Sequence, residues 1–199
     1  MSCSYCRNDA VYKCSVCGRL TCGEHVTLRT MCSACIKKTT SKFIIDKVNT
    51  DREREATREL VKRFWGEEEQ LTFDKKFTVA ELPTFIAKSN NNIFGFISFA
   101  ETAGATIIVA LGVLPKYQDV RIGKSLVKKV EDEVKKLQRK RLLVSASNDD
   151  LPALAFYQSL GFQIYEVKPN VIAEKHGKVL KGIGGLPIRD ELRLQKTLS

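Results

Sequence analysis

The 199-residue sequence predicts a mixed α/β domain over residues 42–199, preceded by a small cysteine-rich domain over residues 1–40. Two observations support this prediction. All seven cysteines fall between Cys3 and Cys35, so the composition changes sharply near a short polar stretch. Beyond that stretch, apolar runs typical of buried strands alternate with segments of helical periodicity. This order of strands and helices excludes a helical bundle.

The first elements of the larger domain follow from periodicity and turn signals. Residues 42–48 predict a short strand, and residues 49–65 predict a helix whose first turn has capping-box spacing. After a less regular stretch, apolar runs at 83–88 and 93–100 flank Ser-Asn-Asn-Asn and predict a hairpin.

The second half of the chain continues the alternation. The continuous apolar run at 106–113 is typical of a strand buried on both faces. The other predicted segments are helices at 122–139 and 151–162, and strands at 141–147, 162–167 and 191–198.

The overall composition bounds the class of protein. With 43% hydrophobic and 28% charged residues, it is that of a soluble globular protein. The longest apolar run, residues 105–115, is too short to span a bilayer, and the N-terminus lacks the apolar stretch of a secretory signal. We therefore expect an intracellular, cytoplasmic protein with no membrane partner. A formal net charge of +10 permits a nucleic-acid partner without indicating one.

The cysteines fall into pairs with two-residue spacing, which lets both side chains of a tight turn face one tetrahedral ion. The pairs are Cys3 with Cys6, Cys14 with Cys17, Cys22 with His25, and Cys32 with Cys35. These eight side chains are enough for two structural zinc sites with no ligand left over. An odd number of cysteines with a histidine in phase argues against a disulfide framework.

Zinc would supply the folding free energy of this segment. A chain of about 40 residues with few apolar side chains usually needs a metal, and a structural site contributes on the order of 10 kcal/mol. Because every coordination position is filled, no position stays open for a reacting water.

The segment resembles the B-box and HIT types of cross-brace finger, especially in the run VYKCSVCGRLTCGEH. The resemblance implies that the first and third pairs share one zinc ion and that the second and fourth share the other. The implied sets are Cys3, Cys6, Cys22 and His25, and Cys14, Cys17, Cys32 and Cys35. Spacing alone also allows a sequential pairing.

Gly123, Lys124 and Ser125 at the start of the second helix look like the end of a nucleotide-binding loop. The Walker pattern needs a glycine five residues earlier, and position 118 is Gln, so the pattern is absent. A helix N-terminus still has unpaired N–H groups and positive dipole charge, which suit a diphosphate. The backbone amides of residues 120–125 would bind it.

The run ALGVLPKYQDVRIGKSLV, followed by NDDLPALAFYQSLGF, resembles the GNAT N-acetyltransferase family, and the resemblance spans residues 42–199. It implies a mixed, splayed sheet flanked by helices, acetyl-CoA as cosubstrate, and transfer of the acetyl group to a primary amine.

The family's pyrophosphate loop, [Arg/Gln]-x-x-Gly-x-[Gly/Ala], corresponds here to residues 118–123, with Arg121 in place of the first glycine. The resemblance implies cofactor contacts from Gln118, Val120, Arg121, Ile122, Gly123, Lys124 and Ser125. Gly123 would allow a close approach of the cofactor. An outward-pointing Arg121 would pair with a phosphate, whereas a positive φ at this residue would weaken the site.

The resemblance also implies which residues would contact the pantetheine arm and the leaving thiolate. Asn148 would hydrogen-bond the arm, and the backbone of Leu111, Gly112 and Val113 would pair with its amide. Gly112 suits close approach to a ligand, or alternatively a β-bulge. Tyr157 would protonate the departing thiolate, although an aromatic residue here also suits packing.

The acceptor amine must lose a proton, which costs about 4.6 kcal/mol at pH 7 for a lysine. A base or a water chain is therefore expected, and the candidate bases are Glu101, Asp190 and Glu191. The long connection at residues 168–190 is expected to shape the acceptor pocket, with His176 as a solvated loop residue.

The leading interpretation is an acetyl-CoA-dependent N-acetyltransferase that acts on a primary amine, more readily of a protein or peptide than of a small molecule. The zinc module would recruit or orient the substrate. Two alternatives stay open. One is a binding protein in which Arg121 has disabled acetyl-CoA chemistry, and the other is an acetyltransferase of small-molecule amines.

Overall fold

The computed structural model describes residues 1–15, 17–22, 32, 34–35, 43–89, 92–118 and 120–198. The N-terminal segment contains a short antiparallel ribbon of β1 (Tyr12–Lys13) and β2 (Leu20–Thr21). In the turn between the strands, the Gly18 N–H donates to the Cys14 carbonyl at 2.9 Å, and Gly18 has a φ of 74°. This turn keeps the cysteine pair at its start compact.

The larger domain contains eleven strands among the described residues. They are β3 (Ile44–Lys47), β4 (Glu69–Thr72), β5 (Lys75–Thr78), β6 (Thr84–Ser89), β7 (Asn92–Glu101), β8 (Thr106–Val113), β9 (Arg141–Ser147), β10 (Gln163–Lys168), β11 (Leu180–Lys181), β12 (Pro187–Ile188) and β13 (Glu191–Thr197). Seven of them form one sheet in the order β10-β13-β9-β8-β7-β6-β3. Only β8 and β9 run parallel in this sheet, and the predicted mixed α/β class is confirmed.

The α-helices of the larger domain, among the described residues, are α1 (Asp51–Trp65), α2 (Ile122–Lys136), α3 (Leu151–Ser159) and α4 (Val171–His176). The start of α1 follows from its capping residues. The Thr50 hydroxyl accepts the Glu53 N–H, and the Glu53 carboxylate accepts the Asn49 N–H, both at 3.2 Å. Helix α2 ends three residues earlier than predicted, and Gln138 just beyond it adopts a φ of 55°.

Two segments contain structure that the sequence did not predict. Strands β4 and β5 form a hairpin in the less regular stretch after α1, and the connection at residues 168–190 contains α4 and the β11–β12 hairpin. The β4–β5 turn consists of Phe73 and Asp74, both with positive φ. The usual sequence signal for such a turn is Asn-Gly or Asp-Gly, which is absent here.

The two faces of the large sheet are covered by different helices. On one face, Leu126, Val130 and Val134 of α2 are fully buried in a cluster with β6 to β9, α3 and β13. On the other face, Val61 of α1 packs in a second cluster with Phe96 of β7. The sheet is therefore buried on both faces around β7 and β8, as expected for the apolar run at 106–113.

We expect Gly112→Ala to lower the free energy of unfolding by roughly 1–3 kcal/mol, as overpacking of a core does. A Cβ at this position would lie 2.7 Å from Phe64 Cε2 and 2.9 Å from Phe96 Cε1. Urea-unfolding midpoints measure the effect. Gly104→Ala is the control, because nothing lies within 4 Å of its Cβ position. Equal midpoints for the two variants would contradict the packing role of Gly112.

Candidate active site

Strands β8 and β9 pair only from Thr106 opposite Leu142 to Ile108 opposite Val144. Beyond this point β8 continues to Val113 and β9 to Ser147, and the two strands no longer pair with each other. The register of β8 against β7 slips at Val109, which is a β-bulge, and a bulge bends its strand. We call the resulting opening between β8 and β9 the fork. The bulge that we considered for Gly112 therefore lies three residues earlier.

A cavity of about 460 Å³ opens at the fork. Its walls come from the fork strands, the C-terminal end of α1, the β4–β5 hairpin, α3 and the connection at residues 168–190. Its polar lining includes the hydroxyls of Thr72, Ser145 and Tyr157 and the carboxylates of Glu67, Asp150 and Glu191. The expectation that the long connection lines a pocket thus has a structural basis, because Val171 and Ile172 lie in the cavity wall.

Helix α2 begins with cations and without an acidic residue in its first turn. Arg121, Lys124 and Lys128 line a surface groove of about 510 Å³ at this end of the helix. Cations at a helix N-terminus are unfavourable unless an anion binds there, because the dipole already carries positive charge. The arrangement suits a diphosphate bound by the first N–H groups of the helix.

The buried side chains of Val120 and Ile122 anchor the loop before α2 in the core. Gln118 fixes its other end, since its side-chain amide donates to the Val113 carbonyl at the end of β8, at 3.0 Å. The predicted loop residues therefore lie together between β8 and α2. The side chain of Gln118 holds the loop in shape, and this role was not predicted.

Two glycines in the predicted cofactor-binding set leave space that aromatic rings fill. A Cβ at Gly123 would lie 3.2 Å from Phe156 Cζ of α3, and Gly112 is enclosed by Phe64 and Phe96. Packing therefore accounts for the absence of a side chain at both positions, and the close approach of the cofactor stays a prediction.

Arg121 adopts φ 69° and ψ 4°, the left-handed conformation that glycine favours. We expect Arg121→Gly to raise the free energy of unfolding by about 1 kcal/mol, because a non-glycine residue is strained in this region. Thermal or urea unfolding measures the change, with Lys124→Gly as the control, since this helical residue should lose stability. A loss of stability in Arg121→Gly would mean that the arginine side chain contributes more than the strain costs.

Tyr157 both packs in the core and lines the cavity. Its ring contacts Phe156 and Phe162 edge to face, with centroids 5.2 and 5.5 Å apart. Burial raises the pKa of the Tyr157 phenol well above its usual value, and the negative charge of Asp150 raises it further. The phenol therefore stays protonated at neutral pH and can donate a hydrogen bond. The packing and catalytic interpretations of this residue are compatible.

The side chain of Asn148 holds the start of β13. Its amide donates to the Pro187 carbonyl at 2.7 Å, and its oxygen accepts the N–H groups of Arg189 and Asp190 at 2.9 Å. One N–H of the amide is left over from these contacts. The contact with pantetheine that the resemblance implies would have to use this remaining donor.

The three candidate bases lie in different environments. Glu101 is the last residue of β7, opposite Thr106 and therefore away from the fork; it pairs with Arg139 at 3.1 Å and does not line the cavity. Asp190 is also outside the cavity lining, and the Arg189 guanidinium, aided by the Asn170 N–H, lowers the pKa of Asp190. Neither position supports the predicted role. Glu191 alone among the three lines the cavity, and it is 4% exposed.

Several cavity residues were not singled out from the sequence. Glu67 pairs with Lys175 at 2.5 Å, Thr72 lies on β4, and Ser145 lies on β9. The two serines in the otherwise apolar run RLLVSAS were an available signal for a polar site. His176 is exposed, as expected, but it also lines the cavity.

The cysteines lie in two groups whose sulfur atoms are within 4.8 Å of one another. The groups are Cys14, Cys17, Cys32 and Cys35, and Cys3, Cys6 and Cys22; His25 lies outside the described residues. This grouping is alternating, as in a cross-brace, and not sequential. The Cys6–Cys22 and Cys17–Cys32 sulfur distances are 3.6 Å. A tetrahedral site with Zn–S bonds of about 2.3 Å has sulfurs about 3.8 Å apart, so the groups fit zinc.

Hydrogen bonds around Cys3 and Cys32 favour the charged form that binds metal, whereas burial and the neighbouring thiols raise the pKa of Cys35 to about 12. Burial opposes ionisation of Cys3, but backbone N–H groups of Cys22 and Tyr5 outweigh it and lower the pKa to about 6. Burial likewise opposes ionisation of Cys32, but the Tyr5 hydroxyl, which donates to Cys32 Sγ at 3.0 Å, helps to lower the pKa to about 6.

The forked mixed sheet, the cationic helix start beside it and the cavity with a protonated phenol define an acetyl-CoA-dependent acetyltransferase. The chain belongs to the acetyltransferase (GNAT) family, whose model matches residues 49–162, more than half of the chain. Among the residues that the structure describes, none of the helices combines the length and apolar character needed to cross a membrane.

Individual proteins are similar to this chain in sequence or in fold. The chain is 29% identical over 142 residues to the uncharacterized protein YdhI of Bacillus subtilis (strain 168). The aligned region covers 68% of this chain and 87% of YdhI. Its fold is similar to that of an IAA acetyltransferase from Bacillus cereus ATCC 14579, with 23% identity, a TM-score of 0.65 and coverage of 78% and 99%. It is also similar to a GNAT family acetyltransferase from Elizabethkingia anophelis with acetyl-CoA bound, with 20% identity, a TM-score of 0.60 and coverage of 79% and 99%.

Proposed function

We propose that this enzyme transfers the acetyl group of acetyl-CoA to a primary amine of a protein or peptide, and that the N-terminal zinc finger recruits or orients this substrate. The observation that carries the proposal is the cavity at the fork, where the Tyr157 phenol and several carboxylates line one space. With His25 as the predicted fourth ligand beside Cys3, Cys6 and Cys22, every coordination position of the finger would be filled, which supports an interaction role.

Bound at the fork, acetyl-CoA supplies the thioester. The start of α2 binds the diphosphate, and the edge of β8 that faces the fork, residues 109–113, offers backbone N–H groups to the pantetheine and the thioester oxygen. Tyr157 donates a hydrogen bond to the sulfur as its negative charge develops. Because the raised pKa of this phenol lies above the value of about 8.5 for a thiol, the phenol stabilises the thiolate without fully losing its proton.

The charge of the cavity supports an amine as acceptor. Three carboxylates, Glu67, Asp150 and Glu191, line it against one ammonium group, Lys175. An excess of negative charge attracts a protonated amine into the cavity and raises its local concentration. A lysine side chain or an N-terminal amine of a peptide has this charge at neutral pH.

A small-molecule amine is the second candidate. The cavity volume of about 460 Å³ lies within the range of roughly 300–1,000 Å³ of sites that enclose small ligands. The β4–β5 hairpin and the connection at residues 168–190 contribute to its walls, which supports a compact acceptor such as a polyamine.

Native mass spectrometry with acetyl-CoA, followed by an acceptor screen, tests the proposal. We expect two zinc ions, one CoA-sized adduct, and thiol release with a single-lysine peptide or with a free N-terminal peptide. Faster turnover of spermidine than of either peptide would favour the second candidate. Absence of both the adduct and thiol release would refute both candidates.

A further inference from the structure

We propose that Ser145, Thr72 and Glu191 form a proton relay that removes the proton from the acceptor ammonium group. Glu191 is the terminal proton acceptor, and the two hydroxyls connect it to the fork. This inference rests on the proposed function in one respect, since it requires an amine acceptor, but not on whether that amine belongs to a peptide.

The hydrogen bonds give the relay a direction. The Thr72 hydroxyl donates to Glu191 Oε1 at 2.9 Å, and the Ser145 and Thr72 hydroxyl oxygens are 2.6 Å apart. A hydroxyl has only one hydrogen, and that of Thr72 is used toward Glu191. Ser145 must therefore donate to Thr72. Its own oxygen keeps a lone pair that can accept a proton from the cavity.

Ser145 lies where the acceptor must meet the thioester. It is the first residue of β9 beyond Val144, at which the pairing with β8 ends. Val144 belongs to the core cluster under α2, whereas the Ser145 hydroxyl contacts Thr72 of the β4–β5 hairpin. The hydroxyl is therefore on the hairpin side of the sheet, the side that also carries Glu67 and Lys175 in the cavity lining.

The β4–β5 hairpin is held against Glu191 by several contacts. Glu191 Oε1 also accepts the Phe73 N–H at 3.1 Å, and Arg193 lies over the Phe73 ring, 5.0 Å from its centroid. Phe73 and Asp74 have φ values of 52° and 59°, a conformation that costs on the order of 1 kcal/mol per residue. These contacts offset that cost and keep Thr72 in position.

Glu191 belongs to a cluster of charged side chains around Arg193, whose Nε–H donates to Glu191 Oε2 at 2.9 Å. Arg193 pairs with Glu191 at 2.8 Å, but the same guanidinium also pairs with Asp74 at 3.0 Å and with Glu166 at 3.2 Å. Three carboxylates therefore share one guanidinium, and Lys168 of β10 pairs with Glu166. The other charged and titratable groups in the same cavity are Glu67, Asp150, Tyr157, Lys175 and His176. Carboxylates therefore outnumber cations in this cluster and in the cavity lining.

The transfer balances without a further reactant. The ammonium proton passes to Ser145 Oγ, the Ser145 proton to Thr72 Oγ1, and the Thr72 proton to Glu191 Oε1. The neutral amine then attacks the thioester carbon, the C–S bond breaks, and the nitrogen loses its second proton to the departing thiolate. Glu191 finally releases its proton to solvent, so that each turnover yields one amide, one thiol and one proton.

Thr72→Val in the full chain tests the relay, with Thr72→Ser as the matched control. The probe is a single-lysine peptide with a blocked N-terminus, or spermidine if the wild type does not modify the peptide. We expect kcat/KM at pH 7 to fall about 10²-fold or more in Thr72→Val and to stay near the wild-type value in Thr72→Ser. Ser145→Ala should behave as Thr72→Val does.

The pH profile separates a relay from a structural role. The variants without a relay need amine that is already neutral, so their kcat/KM should rise about tenfold per pH unit below the amine pKa of about 10.4. The wild-type value should rise less steeply, so that the gap closes as the pH rises. A loss that is equal at all pH values, or no loss, would overturn the relay.

Two measurements distinguish a failure of the relay from a failure of the proposed function. Acetyl-CoA affinity, measured by calorimetry, should be the same in wild type and in Thr72→Val; a weaker affinity in the variant would overturn the inference. Turnover of spermidine, with none of the lysine peptide or of a free N-terminal peptide, would refute the peptide acceptor and leave the relay to be judged by its pH profile. A wild type that acetylates none of these three probes would contradict both proposals.

Discussion

Removal of zinc by a strong chelator is expected to unfold residues 1–40 and to leave the acetyltransferase domain folded. The described part of the finger has only two short strands and a few buried side chains, chiefly cysteines. Each structural site would contribute on the order of 10 kcal/mol, more than such a segment gains from apolar burial. Hydrogen exchange of the β1 and β2 amides measures the loss, together with metal release in the native mass spectrum.

A pair of variants makes the zinc test specific. Cys32→Ser removes a buried member of the four-cysteine group, whereas Val11→Ala changes a side chain that is 71% exposed. We expect one zinc ion to be lost and the finger to exchange rapidly in the first variant, with no change in the second. Retention of two ions in Cys32→Ser would contradict the assignment of its ligands. Unchanged exchange after complete chelation would show that the metal does not hold the fold.

Tyr157→Phe is expected to lower kcat by about 10²–10⁴-fold while acetyl-CoA affinity stays close to that of the wild type. The substitution keeps the ring, whose contacts with Phe156 and Phe162 stabilise α3, and removes only the hydroxyl that can stabilise the thiolate. Steady-state thiol release measures kcat, and calorimetry measures affinity. Tyr165→Phe, at a half-exposed tyrosine of the edge strand β10, is the control.

The raised pKa of Tyr157 adds a pH criterion. Since the phenol stays protonated to well above neutral pH, its ionisation should not lower the wild-type rate between about pH 6 and 9. A kcat in Tyr157→Phe equal to that of the wild type would leave only the packing role. An equal fall in acetyl-CoA affinity and in kcat would indicate a damaged fold.

Much of the fold was predictable because it rests on local patterns. The run at 106–113 indicated a buried strand, the alternation of strands and helices indicated the fold class, and Thr50 with Glu53 marked the start of α1. The β4–β5 hairpin was missed, because its strands are largely polar and its turn lacks glycine. Its strained turn is stabilised by Arg193 and Glu191, over one hundred residues away in the chain.

The candidate site was likewise predictable only in part. The loop at 118–123 and Tyr157 could be proposed from spacing and resemblance, because each belongs to a contiguous motif. Glu191 could not be separated from Glu101 and Asp190, since all three are acidic residues at strand ends. Its position in the cavity depends on the register of β13 against β9 and on the hairpin that packs on it.

The sequence by itself determined the paired cysteines, the mixed α/β order and which segment is predicted to bind the cofactor, because each depends on residues close together in the chain. Only the tertiary structure decided that the cysteines group in an alternating way and that Gly112 and Gly123 make room for aromatic rings. It alone brought Thr72, Ser145 and Glu191 within hydrogen-bond distance. The physical reason is that these contacts join distant segments, whose approach is set by sheet register and helix packing.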